Sequence, residues 1–169
     1  PPTRAKTSSA IHWAVPVLLP GGIRLTILAF AATPPVFDGP EDRNGLRAAD
    51  ETRLWLRLLD GALGPPPEPP LVVLGRANVD PVDGEGVHAA IRALLADTRL
   101  QDPAPRSAGA AVAADPAHRG DPALDTAEYD GPGNLRLDYV LPSADLRVTA
   151  AGVHWPEGTA ETVRAASRD

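Results

Sequence analysis

Apolar and polar positions change period along this chain, and each change marks an element. His12 to Leu19 is mostly apolar and stops at Pro20-Gly21-Gly22, which predicts a strand ended by a turn. Ile23 to Phe30 alternates and then runs apolar, a second strand. The short Gly-Gly connection predicts that the two form an antiparallel hairpin. From Thr33 to Leu46 the pattern dissolves into Pro, Gly, Asp and Asn, a long loop. Ala48 to Leu63 restores a helical period, with Leu54, Trp55, Leu58, Leu59 and Ala62 on one side and Glu51, Arg53, Arg57 and Asp60 on the other. The proline run from Pro65 to Pro70 forbids any continuation of that helix. Leu71 to Leu74 is apolar without a break and predicts a buried central strand. Gly84 to Gly86 then turns into a second helix carrying Val87, Ile91, Leu94 and Leu95, and residues 101–134 show little periodicity. Leu135 to Leu141 and Leu146 to Val153 predict two last strands, with Pro142-Ser143-Ala144-Asp145 turning between them. The order strand-strand-helix-strand-helix-loop-strand-strand predicts an α/β (α+β) domain, a mixed β-sandwich flanked by helices. In such folds, sites gather in the loops beyond the strand ends.

Composition narrows the function classes. The chain has 169 residues, enough for one domain with a core. Net charge is −6 and pI about 5.1, which gives no basic footprint for nucleic acid. With no cysteine, disulfides and thiolate metal sites are excluded. No apolar run approaches the roughly 18 residues of a membrane span, and no signal peptide is visible. The chain opens on Pro1-Pro2 and contains no methionine, so it reads as a processed or cut-down piece. Pro and Gly are abundant, at 20 and 15 residues, while 43% of the chain is hydrophobic. That balance predicts a folded domain with long ordered loops.

Three segments carry residues suited to chemistry. Thr33 to Gly45 packs ionic residues and Asn44 into a turn-rich loop directly after a strand, either a surface loop or a site loop. Leu74-Gly75-Arg76-Ala77-Asn78-Val79-Asp80-Pro81 opens a buried strand into Gly, Asn and Asp, a platform for a metal or phosphate or plain turn chemistry. The acids behind it, Asp80, Asp83 and Glu85, lack the ligand spacing of a calcium loop. In Arg136 to Leu141, alternation puts Arg136, Asp138 and Val140 on one strand face and Leu137, Tyr139 and Leu141 on the other, so Asp138 sits inside an apolar strand, where an unpaired carboxylate is costly. It either pairs with a nearby arginine or orients a catalytic histidine. The histidines His12, His88, His118 and His154 lack two-ligand spacing for zinc, and Ser8, Ser9 and Ser143 lack a nucleophile-elbow context.

Taken together, these segments resemble the endonuclease/exonuclease/phosphatase superfamily, of DNase-like fold, and a bacterial, often exported branch of it in particular. The stretches that carry the resemblance are His12-Trp13-Ala14-Val15-Pro16, the whole of Thr33 to Gly45, and Gly75-Arg76-Ala77-Asn78-Val79-Asp80-Pro81. His118-Arg119-Gly120-Asp121-Pro122, Pro132-Gly133-Asn134 through Pro142-Ser143, and Gly152-Val153-His154-Trp155-Pro156 extend it over nearly the whole chain.

The resemblance implies a divalent-metal phosphoesterase, with Mg2+ or another divalent cation polarising the phosphate and an Asp-oriented histidine activating water. It assigns Asn78 to phosphate contact and Asp138 to orienting the histidine. Asp169, in Ser167-Arg168-Asp169, matches the metal-side acid of a closing motif whose histidine would follow it. Two positions depart from the pattern: Ala31 stands where the family has a phosphate-contacting histidine, and Arg76 where it has an aspartate beside the attacking water. The resemblance also implies that residues 1–169 form one such domain, incomplete, with an N-terminal part and a C-terminal strand missing. The expectation is therefore a catalytically silent chain in which Arg76 and Asn78 still bind phosphate. Expected partners are a phosphorylated small molecule or nucleotide, with no membrane, and a second copy or second chain that completes the fold. A non-catalytic relative that binds a phosphate ligand or a protein is the alternative.

Overall fold

The structure is a computed structural model, and it describes residues 11–155. The predicted hairpin forms. Strand β1 (Ile11–Leu18) pairs antiparallel with β2 (Arg24–Ala31), from Ile11 opposite Ala31 to Leu18 opposite Arg24. The turn is closed by the Leu19 N–H donating to the Ile23 carbonyl at 2.8 Å. Helix α1 (Arg43–Leu59) begins earlier than the apolar period suggests, directly after Asp42 in the left-handed region. Its first turn contains Gly45, a poor helix former, but a Cβ there would meet the Asp42 carboxylate at 2.0 Å. The helix stops at Leu59, short of the expected Leu63, because Gly61 turns to φ 74 and Asp60 caps the end.

Strand β3 (Leu71–Arg76) is central, parallel to β2 on one side and antiparallel to β4 (Asp138–Pro142) on the other. The sheet order is β1-β2-β3-β4. Helix α2 (His88–Leu95) packs beside α1. The aperiodic stretch holds only a short helix α3 (Ala108–Val112) and a single 3-10 turn at Pro122–Leu124. The chain is thus a mixed sheet flanked by helices.

The last predicted strand, Leu146–Val153, is absent. After Ser143 the chain turns, Leu146 N–H donating back to the Ser143 carbonyl at 3.0 Å. The turn and the segment after it bond to the loop leading to α3: Ala144 N–H donates to Arg99 O, Gln101 Nε2 to Leu146 O and Val153 N–H to Arg106 O. Those bonds draw the segment off the sheet edge, so no second hairpin closes. The strand expected from Leu135 begins only at Asp138, because Leu135 bridges to Ala127 instead.

Alternation gives the sheet two unlike faces. Leu28, Phe30, Val73, Tyr139 and Leu141 point one way and pack against Trp55, Leu59, Ile91 and Leu94 of the helices. Each such buried side chain contributes about 1.5–3 kcal/mol. The opposite face carries Ile11, Trp13, Val15 and Val140, exposed by 52%, 60%, 40% and 54%. It is an apolar face that no described element covers.

Gly75 locks the centre of the sheet to the site at its end. At φ 144, a Cβ there would lie 1.9 Å from the Phe30 carbonyl oxygen of the neighbouring strand. That clash is with backbone, which cannot give way without parting β2 from β3. Gly75→Ala is therefore expected to destabilise the chain by about 2 kcal/mol or more. Denaturant unfolding followed by circular dichroism checks this, and a cost near zero would contradict it.

Candidate functional site

The site stands where β3 and β4 end together. Arg76, the last residue of β3, faces Asp138, the first of β4, in direct register. Ala31, the last residue of β2, is the register partner of Arg76 on its other side, and Ile11 of β1 faces Ala31. The row Ile11–Ala31–Arg76–Asp138 therefore lies on the open face of the sheet. The next row on that face is Trp13–Ala29–Leu74–Val140, wholly apolar.

Arg76 is held by three neighbouring side chains. Its Nε donates to Asn78 Oδ1 at 2.9 Å and its Nη2 to the Tyr129 hydroxyl at 2.7 Å. Its Nη1 lies 3.4 Å from Asp138 Oδ2. Both partners of this ion pair are about 40% exposed, at 38% and 40%, so its own stabilisation is only about 0.2–1 kcal/mol. Its effect is on charge and position instead. Asn78, left-handed at φ 55, donates its Nδ2 to the Ala32 carbonyl at 2.7 Å. Its amide thus joins the exit of β2 to the guanidinium at the exit of β3. Asp138 is fixed from the other side by Thr126 Oγ1, which donates to Oδ2 at 3.0 Å. Thr126 also accepts the backbone N–H groups of Leu137 and Asp138, each at 3.0 Å.

A groove of about 450 Å³ opens over this corner. Arg76 and Asp138 are the charged groups that line it, and Leu74, Val140, Pro105 and Val153 supply apolar walls.

Of the residues singled out in the sequence, the fold brings Arg76, Asn78 and Asp138 together at one strand end. Of the alternatives for Asp138, the structure shows an arginine pair, and the arginine is Arg76. Arg136, which the strand pattern placed beside Asp138, is buried elsewhere, bidentate to Asp102 at 2.6 and 2.8 Å and 4.8 Å above the Tyr139 ring. Burial pushes the Asp102 carboxyl up, but the Arg136 guanidinium and the Ala104 N–H together outweigh it and hold it below its usual value. Asp169 lies outside the described residues, as does Ser167. Tyr129 and the role of Thr126 were not foreseen. Both sit in the aperiodic segment, where no spacing signals which side chain returns to the sheet.

The acids after Asn78 do structural work. Asp80 Oδ1 accepts the Val82 and Asp83 N–H groups and its Oδ2 accepts that of Arg136. Asp83 accepts the Arg119 and Gly120 N–H groups, stapling two loops. Burial raises its pKa, yet those N–H donors prevail and hold it below the usual carboxylate range. In the loop from Thr33 to Gly45, Thr33 N–H donates to Glu51 at 2.6 Å and Asn44 Nδ2 to the Val36 carbonyl at 2.8 Å, fixing the loop on α1.

The metal-side acid that the resemblance assigns, Asp169, lies outside the described residues. The corner that is described offers a cation only Asp138, one oxygen of which accepts from Thr126 while Arg76 stands beside it. Among the described residues, no group of three or more His, Asp or Glu is placed to hold a metal.

Comparison with known proteins matches the Endonuclease/Exonuclease/phosphatase family over residues 6–166. No curated protein matches the chain. Among solved structures, the chain is similar to an endonuclease/exonuclease/phosphatase from Beutenbergia cavernae DSM 12333, with TM-score 0.54 and 18% identity. That match covers 81% of this chain and 33% of the other. A beta hairpin deletion mutant of beta toxin from Staphylococcus aureus is similar at TM-score 0.48 and 12% identity, over 82% of this chain and 46% of its own. The chain therefore spans a third to just under half of the structures it resembles.

One buried acid beside the site is poised to titrate. Burial, helped by the negative charge of Asp80, pushes Asp125 up to about 6. Its ionisation is thus easier in the unfolded chain, near the ordinary 3.8. Its contribution to stability is complete below that value and lost as pH rises through about 6. Asp125→Asn is expected to stabilise the chain by on the order of 1 kcal/mol near pH 8 and to add nothing near pH 4. Thermal melts at the two pH values check this, and an equal gain at both would contradict it.

Proposed function

The chain belongs to the endonuclease/exonuclease/phosphatase family, and from that premise we propose that these 169 residues bind a phosphoryl group at Arg76 without hydrolysing it. The observation that carries the reading is the row Ala31–Arg76–Asp138. An attacking water next to a phosphate needs a carboxylate or histidine to take its proton. At Arg76 it meets a group that cannot accept one. Ala31 likewise brings no donor to the phosphate. Losses of this kind within one catalytic unit are each worth several powers of ten in rate, and they do not add simply.

Arg76 and Asn78 suit binding instead. A guanidinium offers five N–H donors in a planar fork that matches phosphate oxygens. Three of its nitrogens already have partners that hold it at the strand end, so little rotamer freedom is lost when an anion arrives. The family's hydrolytic chemistry, its Mg2+ or other divalent cation and its histidine base are not used in this reading. An exported location follows only from the branch the sequence resembles.

A second reading treats the domain as an interaction module, completed by another chain or a second copy. The open apolar face around Trp13 and Val140 supports it, since monomers seldom expose contiguous apolar patches beyond a few hundred Å². The two readings differ at Arg76: phosphate binding depends on that side chain and association through the apolar face does not.

Release of p-nitrophenol from bis-p-nitrophenyl phosphate, with Mg2+ or Mn2+ present, is expected to match buffer for the purified chain. Inorganic phosphate is expected to raise its melting temperature, and Arg76→Ala to remove that rise. Turnover above buffer that tracks the purified protein would overturn the silent site, and a phosphate shift that survives Arg76→Ala would overturn the assignment of Arg76.

A further inference from the structure

We propose that a cavity at the other end of β3, walled by the proline run, binds a small aromatic cation of the aryl amidine or arylalkylamine class. Leu71 opens β3 and Arg76 closes it, so the cavity and the Arg76 corner lie roughly 17 Å apart along the strand. The open sheet face takes no part in it. Leu59, Leu71 and Leu100, which line the cavity, belong to the core on the helix-covered side.

Size limits the ligand. The cavity measures about 180 Å³. A space of about 150 Å³ holds one benzene ring, so this one takes a single ring with a short substituent. Larger ligands need about 300 Å³ or more. The three leucines form an apolar floor, and Pro66, Pro67 and Pro69 stand against them. Proline rings fix their own φ, so that wall is set before a ligand arrives and little freedom is lost on binding. The backbone around it is tied down as well. Thr26 N–H donates to the Pro70 carbonyl at 3.1 Å, Ser143 N–H to that of Leu71 at 2.8 Å, and Ala144 N–H to that of Arg99 at 2.8 Å.

The polar groups select the charge. From Pro65 to Pro70 only Glu68 has a backbone N–H, so the wall is rich in carbonyls and nearly without donors. Among the described residues, nothing donates to the carbonyls of Pro66 to Pro69, and the Glu68 carboxylate has no hydrogen bond or ion pair. Arg99 also lines the cavity, but its guanidinium is already taken. Its Nη2 donates to Asp60 at 2.8 Å and to Asp97 at 2.6 Å, and its Nε to Asp97 at 2.9 Å. Three carboxylates therefore stand around one guanidinium, and the rim carries an excess of negative charge. A fitting ligand brings N–H donors and a positive charge on a flat apolar body. An anion would meet only an arginine that two carboxylates already hold.

Titration of the 169-residue chain with benzamidine, benzoate and methylguanidine near pH 7, followed by amide nuclear magnetic resonance, tests this. Benzamidine is expected to move the amide signals of Leu71, Leu100 and Ser143 to saturation and to leave those of Arg76 and Asn78 in place. Benzoate, the same ring with the opposite charge, is expected to bind at least about tenfold more weakly. Methylguanidine, a cation without the ring, is expected to do the same. Glu68→Gln is expected to weaken benzamidine about fivefold. Glu68→Lys is expected to reverse the order, so that benzoate binds more tightly than benzamidine, a gain that loss of structure would not produce. The proposal is overturned if the Leu71, Leu100 and Ser143 signals do not move, if benzoate or methylguanidine binds as tightly as benzamidine, or if Glu68→Lys leaves benzamidine affinity unchanged. None of these outcomes bears on phosphoryl binding at Arg76.

Discussion

The contact between Arg76 and Asp138 decides what this sheet end can do. It joins the last residue of β3 to the first of β4 in register, so the strands themselves fix the separation of the two charges. Its energetic worth as an exposed ion pair is small. Its chemical consequence is large, because a corner with two carboxylates attracts cations, while a carboxylate beside a guanidinium is close to neutral and offers a cation no such pull. Everything around it holds that pairing in place. Asn78 and Tyr129 take the other guanidinium nitrogens, and Thr126 holds Asp138. Gly75 lets β3 approach β2 closely enough for the row to align.

The same sheet explains why the site is open. Helices α1 and α2 cover one face and bury Leu28, Val73 and Leu141. The other face keeps Trp13, Val15 and Val140 exposed, with the charged row at its end. A groove formed there has an apolar floor and a neutral charged corner. The chain covers 81% of its own length but only 33% of the Beutenbergia cavernae structure, so a large part of that protein has no counterpart in these residues.

Much of this was legible in the sequence. The hairpin, the central strand and both main helices follow from apolar period and from Gly and Pro punctuation. Arg76, Asn78 and Asp138 stood out one by one because the resemblance aligned each with a site position; that they meet is what the fold adds. What escaped has physical causes. The early start of α1 was hidden by Gly45, a poor helix former that stands in its first turn. Leu146–Val153 has strand composition, but the Leu146 carbonyl accepts from Gln101 Nε2 and the Val153 N–H donates to the Arg106 carbonyl rather than to β4. Arg136 and Asp138 looked like neighbours on one strand face. The strand starts only at Asp138, so Arg136 turns inward to Asp102. Tyr129 reaches Arg76 across 53 residues of sequence separation, and nothing local announces such a contact.

The most direct measurement is nuclear magnetic resonance of the Arg76 Nε–H group, assigned by its loss in Arg76→Lys. Titration with a phosphodiester should shift this resonance to saturation, while Mg2+ at the same concentrations should leave it unmoved. A resonance that moves with Mg2+ and ignores the phosphodiester would show that the corner is a cation site, and that the guanidinium yields Asp138 to metal.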